Sequence, residues 1–187
     1  MGRLGPGIRE TEVNVLASII LLTNLAYSSA YDDETLCPAW VSYDLEPYEV
    51  VVTNRAAIPF APDPRVNVCA TDEDYLGSGY DRGHMAPAAD FNFLRRALEE
   101  TYLFTNICPQ DPKLNRGEWA QFEREIRNLA ASGTVHVVAF PLFFDGLPTN
   151  RVGRVAVPHA FEKVAFGWFG VRRRFFFNFR AGMVSVR

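Results

Sequence analysis

The sequence predicts a single α+β domain whose sheet is mainly antiparallel. In the first half of the chain, prolines separate short apolar runs, which is typical of strands joined by turns. A segment near the middle has the apolar period of an amphipathic helix, about 3.6 residues, and further β-rich runs follow it. The 187 residues are 48% hydrophobic, enough to bury one core but too few for two domains. We therefore predict one domain over residues 1–187.

Strands are predicted where apolar and β-branched residues cluster between turn-forming residues. The apolar run within residues 13–25 is similar to the core of a signal peptide, but Glu10 and Glu12 leave it without a clean positive flank. It is also too short to span a bilayer, so a buried strand or strand pair is favoured and no membrane partner is expected. The other predicted strands are residues 41–43, 48–53, 102–107, 134–140, 152–157, 164–169 and 174–179.

One long loop and two helices complete the predicted elements. Residues 54–77 combine Asn, Pro, Asp and Gly without periodicity and predict a loop, and residues 92–100 predict a short helix. A second helix is indicated by an apolar stripe at i, i+3, i+7, i+10 and i+11, with Gly133 placed to end it. The stripe consists of Trp119, Phe122, Ile126, Leu129 and Ala130.

Charge and cysteine content narrow the classes of function. The net charge of −3 provides no global positive field, so any nucleic-acid binding must be local. Three consecutive arginines near the C-terminus form either a phosphate-facing patch or an ordinary solvated strand end: Arg172, Arg173 and Arg174. The three cysteines have no metal-ligand spacing, so a zinc site is not expected, whereas one disulfide with one free thiol and three buried thiols both remain open: Cys37, Cys69 and Cys108.

A histidine motif follows the predicted loop. Arg82 and His84 are two residues apart, so in an extended segment they project to the same side, and Gly83 between them permits close backbone approach. A histidine, with an ordinary pKa of ~6.5, can accept a proton from water near neutral pH. An arginine can bind phosphate oxygens. The pair suits phosphodiester hydrolysis, although a lone histidine is more often structural.

A second pair of polar residues lies at the start of the predicted central helix. Asn115 and Glu123 are eight residues apart, which places them within about 80° on one helix face. Their hard oxygen ligands suit Mg²⁺ that keeps several waters, with Asn115 binding directly and Glu123 gripping a water of the ion. For Glu123 alone, a solvated helix charge is the alternative.

Two motifs resemble those of the DNA/RNA non-specific endonucleases, a family that includes secreted bacterial nucleases and mitochondrial endonuclease G. The first is Asp-Arg-Gly-His-Met-Ala-Pro at residues 81–87. The second is Thr-Asn-Ile-Cys-Pro-Gln at 105–110, followed by Leu-Asn-Arg-Gly-Glu-Trp-Ala-Gln-Phe-Glu at 114–123. Weaker similarity extends the resemblance over most of residues 20–165.

The resemblance implies a ββα-metal fold with the His-Me finger motif, and hydrolysis of DNA and RNA without preference for sequence or sugar. It implies Mg²⁺ as cofactor, with Mn²⁺ as an alternative, and products with 5′-phosphate ends. The C-terminus after about residue 165 departs from the family pattern.

The resemblance also assigns roles to individual residues. His84 is the general base, Asn115 the sole direct protein ligand of the ion, and Glu123 an orienter of its water. Arg82 and Arg116 are candidates for binding substrate, and Arg55, rather than the nearby Arg65, best matches an arginine that stabilises the transition state. Two residues are expected to organise the site: Asn106 and Gln110.

Two other functions are compatible with these residues. One is a catalytically weak relative that binds nucleic acid, and the other is a toxin-type nuclease module with an immunity partner. A homodimer and an inhibitor stay open as partners. The resemblance slightly favours export to the periplasm or outside the cell, although this chain shows no clear signal peptide.

Overall fold

The computed structural model describes residues 19–47, 58–147 and 149–178. The strands are β1 (Ile19–Thr23), β2 (Tyr27–Asp32), β3 (Cys37–Leu45), β4 (Asp81–His84), β5 (Ile107–Gln110), β6 (Val135–Leu142), β7 (Arg151–Val152), β8 (Val155–Ala156), β9 (Ala160–Gly167) and β10 (Gly170–Phe177). The helices are α1 (Asp72–Tyr75), α2 (Arg95–Glu100), α3 (Pro112–Leu114) and α4 (Ala120–Ala130). A π-helical turn covers Asn115–Trp119, and 3₁₀ turns cover Ala88–Asp90 and Phe104–Asn106.

A six-stranded sheet is the framework of the domain. Its strand order is β1-β2-β3-β6-β9-β10, and every neighbouring pair is antiparallel. Two separate hairpins, β4–β5 and β7–β8, complete the strands. The predicted α+β class with a mainly antiparallel sheet is therefore confirmed.

The central strand β6 shows how the sheet faces its core. Its residues alternate between buried and half-buried, with Val135, Val137 and Ala139 fully buried. This alternation is the period of two expected when one face of a sheet packs against the core. The apolar stripe of α4 belongs to the same core, with Phe122 and Ile126 buried. The helix and the strand thus bury complementary faces.

The predicted central helix is confirmed, with one difference at its end. Trp119, Phe122, Ile126 and Ala130 are buried and Leu129 packs against the core. Gly133 does not provide a left-handed cap. A Cβ at this position would lie 2.8 Å from Cδ1 of the Trp168 ring, so close packing explains the glycine.

Several other predicted elements are confirmed with altered bounds. The short helix predicted at 92–100 is α2, the strands predicted at 41–43 and 134–140 are β3 and β6, and the last three apolar runs correspond to β7–β8, β9 and β10. The predicted loop at 54–77 contains the short helix α1, which begins with a capping box between Thr71 and Asp74. The strand predicted at 48–53 lies outside the described residues.

The strand predicted at 102–107 was wrong in position. A 3₁₀ turn occupies Phe104–Asn106, and β5 begins at Ile107. The physical reason is that two polar side chains form hydrogen bonds here. Thr105 donates to Asp63 at 2.8 Å and the Asn106 side chain hydrogen-bonds to Ala86, so both side chains hold the backbone in a turn.

Of the first apolar run, predicted within residues 13–25, residues 13–18 lie outside the described part of the chain, and Ile19–Thr23 form a strand that is mostly not buried. In β1 only Leu22 is buried, and Leu21 is 74% exposed. The exposure follows from position, because β1 is the edge of the sheet and, among the described strands, pairs with β2 alone. Among the described residues, no helix combines the length and apolarity needed to cross a membrane.

The three cysteines are free thiols, and Cys37 and Cys108 are buried. Of the two alternatives left open by the sequence, the one with three thiols is observed, except that Cys69 is only half-buried.

Candidate active site

The β4–β5 hairpin carries the histidine motif. Gly83 pairs with Cys108 across the hairpin, and a Cβ at Gly83 would lie only 2.4 Å from Oε1 of Gln110. Close packing inside the hairpin thus requires glycine here. Arg82 and His84 project to the same side, as predicted. Both lie against the Phe60 ring, whose centroid is 5.5 Å from Cζ of Arg82 and 5.4 Å from the centroid of the His84 ring.

His84 is fixed by aromatic rings and by a backbone contact. The Tyr102 ring meets the imidazole edge-on, with 5.0 Å between centroids. The indole N–H of Trp119 donates to the His84 carbonyl oxygen at 3.3 Å. Trp119 ends the π-helical turn and precedes α4, so this bond ties the helix to the strand that carries the histidine.

Asn106 holds the chain just beyond His84. Its amide oxygen accepts from the Ala86 N–H, and its amide nitrogen donates to the carbonyl oxygens of Ala86 and Thr101, each at 2.9 Å. The side chain is fully buried. Asn106 thus holds the backbone two residues after His84 in place, and its expected part in organising the site stays a prediction.

Gln110, the last residue of β5, packs against β4. It is fully buried against Gly83 and does not line the pocket that contains His84. Neither of its amide atoms has a hydrogen-bond partner among the described residues. In this structure Gln110 therefore packs against Gly83, and its expected part in organising the site stays a prediction.

Asn115 begins a π-helical turn instead of a continuous α-helix. Gly117 inside this turn has φ −103° and ψ −108°, which are not helical values. The predicted angle of about 80° between Asn115 and Glu123 assumed regular geometry and does not apply. Both side chains nevertheless line one pocket.

Asp81 fixes the orientation of the Asn115 side chain. One oxygen of Asp81 accepts from the Asn115 amide nitrogen at 2.9 Å, and Arg116 donates to both carboxylate oxygens at 2.8 and 2.6 Å. Burial alone would raise the pKa of Asp81, but the hydrogen bonds from Arg116 and Asn115 outweigh it and hold this pKa below its usual value. The amide nitrogen is thus occupied, and the carbonyl oxygen of Asn115 is left for a ligand.

Glu123 is paired with a lysine that the sequence did not single out. Lys163 is fully buried, and its ammonium nitrogen lies 2.9 Å from Oε1 of Glu123. The same nitrogen lies 4.1 Å from the centroid of a Trp119 ring. The period of two in β9 could have indicated it, because Phe161, Lys163 and Ala165 share the inward face.

A second buried ion pair lies beside the first. Arg127 donates to Asp90 at 2.6 Å, and the Tyr43 hydroxyl donates to the other carboxylate oxygen at 3.1 Å. Burial raises the pKa of Asp90 to about 6, with Arg127 opposing the shift. Sequence reasoning missed this pair, because its members are 37 residues apart.

The candidate site is one pocket of about 360 Å³. Its functional lining consists of His84, Tyr102, Asn115, Trp119, Glu123, Arg124 and Arg127. Within the described part of the chain, no group of three or more His, Cys, Asp or Glu side chains could hold a metal ion. The available donors are one amide oxygen and one carboxylate.

The arginines proposed from the sequence differ in availability. Arg82 is paired with Asp72 at 2.7 Å and Arg116 with Asp81. By contrast, Arg124 is exposed on the pocket lining and forms no ion pair with a described carboxylate.

The upstream arginine remains a prediction, because Arg55 lies outside the described residues. The nearby alternative, Arg65, is held by Asp63 and Asn24 and does not line the pocket.

Comparison with known proteins identifies the family of the chain. Residues 8–172 match the family model described as DNA/RNA non-specific endonuclease. The chain belongs to this family. Mitochondrial nuclease EXOG of Xenopus laevis is 41% identical over 129 residues, which are 67% of this chain and 35% of that protein. Mitochondrial endonuclease G of Bos taurus is 35% identical over 158 residues, 77% of this chain and 53% of that protein.

Mitochondrial nuclease 1 of Schizosaccharomyces pombe is 37% identical over 162 residues, 75% of this chain and 49% of that protein. The chain thus spans about a third to a half of the length of these curated relatives. A chain in the crystal structure of the EndoG/EndoGI complex matches with a TM-score of 0.77 and 26% identity, covering 85% of this chain and 74% of that one. The fold of this family member is therefore the ββα-metal type.

Proposed function

We propose that this chain is a Mg²⁺-dependent endonuclease that hydrolyses phosphodiester bonds of DNA and RNA without preference for sequence. The observation that carries the proposal is a single pocket lined by an imidazole, an amide and a carboxylate, those of His84, Asn115 and Glu123. Family membership supports the same reaction class, as do the names of the relatives, which are nucleases.

The donors in the pocket suit a hard divalent cation. The Asn115 amide nitrogen donates to Asp81, which leaves its carbonyl oxygen for the ion. Lys163 occupies one oxygen of Glu123, and the other can accept a hydrogen bond from a hydrated ion. Mg²⁺ commonly takes one or two protein oxygens and keeps several waters. Asn115 would therefore hold the ion directly and Glu123 through its hydration shell, with Mn²⁺ able to replace Mg²⁺.

The residues around this position can perform the remaining chemistry. A bound divalent cation would neutralise charge on the phosphoryl group and on the leaving 3′-oxygen. His84, held by Phe60 and Tyr102, would accept a proton from the attacking water. Attack on phosphorus with departure of the 3′-oxygen leaves a 5′-phosphate on the product.

Arginines in the pocket lining would bind the phosphates of the substrate. Arg127 is oriented by Asp90, and Arg124 is exposed at the same pocket. Arg82, Arg116 and Arg55 keep their sequence-based assignments as predictions. Contacts to phosphate carry no base information, which accounts for cleavage without sequence preference.

Partners and location follow the relatives only as proposals. The matched EndoG structure is a complex with EndoGI that concerns the inhibition of EndoG, so an inhibitor protein is a reasonable partner for this chain. The curated relatives named above are mitochondrial, which favours an organellar or exported location. A homodimer remains a prediction.

The proposal is tested by cleavage of plasmid DNA and of RNA by the purified protein with Mg²⁺, Mn²⁺ or EDTA. Cleavage with either ion and none with EDTA is expected, and end-labelling should detect 5′-phosphates. Asn115→Ala should lose at least ~10²-fold in rate, because metal stabilisation of the transition state is worth several kcal/mol. Glu118→Ala, on an exposed residue of the same turn, serves as the matched control. DNA binding without metal-dependent products would instead favour a catalytically weak binding protein.

A further inference from the structure

We propose that Lys163 is a positioning residue of this site, which sets the orientation of Glu123 and supports Trp119 behind His84. The inference rests on the proposed function, because it concerns the carboxylate assigned to the hydration shell of the ion. Its starting point is the Lys163 side chain, which is fully buried with its ammonium nitrogen 2.9 Å from Oε1 of Glu123.

The burial of Lys163 is not explained by stability alone. Removing an ammonium group and a carboxylate from water is costly, and a well-packed apolar pair in the same volume is often equally or more stable. Glu123 is itself only 9% exposed, so both charges of the pair are largely desolvated. An ion pair at this position is therefore better explained by what it does to Glu123.

The first effect is on the orientation of the carboxylate. Glu123 lines the pocket, and because Lys163 donates to Oε1, the other carboxylate oxygen is the one left to accept from a hydrated ion. Two other cations line the same pocket, Arg124 and Arg127. Without Lys163, either oxygen of Glu123 could hydrogen-bond to these guanidinium groups, so the carboxylate would no longer be held in one orientation.

The second effect passes through Trp119. The Lys163 ammonium lies 4.1 Å from the centroid of a ring of this indole, within the range of a cation–π interaction. The indole N–H donates to the carbonyl oxygen of His84. A single buried cation therefore contacts the metal-side carboxylate and the residue that braces the histidine strand.

The test measures metal binding without turnover. In a His84→Ala background, Mn²⁺ affinity is measured by electron paramagnetic resonance for the parent, Lys163→Met and Glu123→Gln, and for the variant with both changes. Lys163→Met should weaken Mn²⁺ binding about 10- to 100-fold, the usual effect of losing an outer-shell partner. In the Glu123→Gln background the same change should alter affinity less than about twofold, because the effect passes through Glu123.

The matched control is Lys113→Met, an exposed lysine that should leave Mn²⁺ binding unchanged. Circular dichroism establishes folding of every variant. Should Lys163→Met not fold, Lys163→Gln keeps a donor for Glu123 and is measured in its place, with a smaller expected loss but the same dependence on Glu123.

Two results would overturn the inference. One is Mn²⁺ affinity within about twofold of the parent in the folded variant, and the other is an equal loss with and without the Glu123 carboxylate. In active enzyme, Lys163→Met should lower kcat while leaving KM for duplex DNA unchanged. A protein with His84 and Lys163 both intact that binds Mn²⁺ but cuts no nucleic acid would reject the proposed function and leave the Mn²⁺ test of Lys163 valid.

Discussion

The side-chain amide of Asn115 donates a 2.9 Å hydrogen bond to Asp81, which joins the π-helical turn to the first strand of the hairpin. This bond sets which end of the amide is available to a metal ion. The two residues are 34 positions apart in the sequence, and Arg116 also donates to the Asp81 carboxylate.

Removing the Asp81 charge should therefore weaken metal binding. In Asp81→Asn the Asn115 amide can turn over, because an asparagine at position 81 can either donate or accept. Mn²⁺ affinity should fall by about 10- to 100-fold, as is typical for partners behind a metal ligand. The Mn²⁺ affinity is measured by titration calorimetry in the His84→Ala background. Asp145→Asn, which changes an exposed aspartate, is the control. Unchanged affinity in Asp81→Asn would show that this bond does not orient the amide for a metal.

Substitution of Gly83 should destabilise the hairpin. The added Cβ of Gly83→Ala would lie 2.4 Å from Oε1 and 2.7 Å from Cβ of Gln110. Overpacking of this kind costs about 1–3 kcal/mol, measured as a lower midpoint of urea denaturation. Gln110→Ala in the same chain should recover part of that loss, since the obstructing side chain is gone. Equal stability of Gly83→Ala and the parent would contradict the close packing of the two residues.

Arg124 should contribute more than Arg116 to nucleic-acid binding. Arg116 already donates to both oxygens of Asp81, whereas Arg124 has no ion-pair partner among the described carboxylates. Binding of duplex DNA to the His84→Ala protein is followed by fluorescence anisotropy over a range of salt concentrations. Arg124→Gln should reduce the steepness with which the logarithm of the binding constant falls with the logarithm of salt concentration by about 0.9, the value for one phosphate contact. A larger effect from Arg116→Gln would reverse the assignment.

The ion pair between Asp74 and Arg154 predicts a pH-dependent part of the stability. Burial alone would raise the pKa of Asp74, but hydrogen bonds from Arg154 and Thr71 lower it from 3.8 to about 2. Because the folded pKa is below the unfolded one, this stabilisation is complete above pH 3.8 and is lost as the pH falls through about 2.

Asp74→Asn should accordingly lower the free energy of unfolding at pH 7 by about 2 kcal/mol, typical of hydrogen bonds to a charged group. The difference between the two proteins should shrink when urea denaturation is repeated near pH 2. A difference that grows on acidification would mean that the carboxylate is not stabilised by folding.

Local sequence patterns predicted the strands and helices of the site better than the contacts between its side chains. The two-residue spacing placed Arg82 and His84 on one side, and the apolar stripe located α4, because both depend on the backbone period alone. The π-helical turn before α4 escaped prediction, since one non-helical glycine inside it breaks the regular angle.

The ion pairs could not be predicted for a different reason. Lys163 and Glu123 are 40 residues apart, and their meeting depends on how β9 packs under α4. An inward lysine in an otherwise apolar strand could have been noticed, but its partner could not have been named. The same holds for Arg127 and Asp90, which only the folded chain brings together.

The most direct test of the account is the rate of plasmid cleavage by His84→Ala at saturating Mg²⁺. Loss of a general base predicts a fall of at least ~10²-fold in kcat. The matched control is His136→Ala, because His136 is paired with Asp44 and does not line the pocket. This variant should cleave at the parent rate. Cleavage by His84→Ala at the parent rate would contradict the assignment of this site.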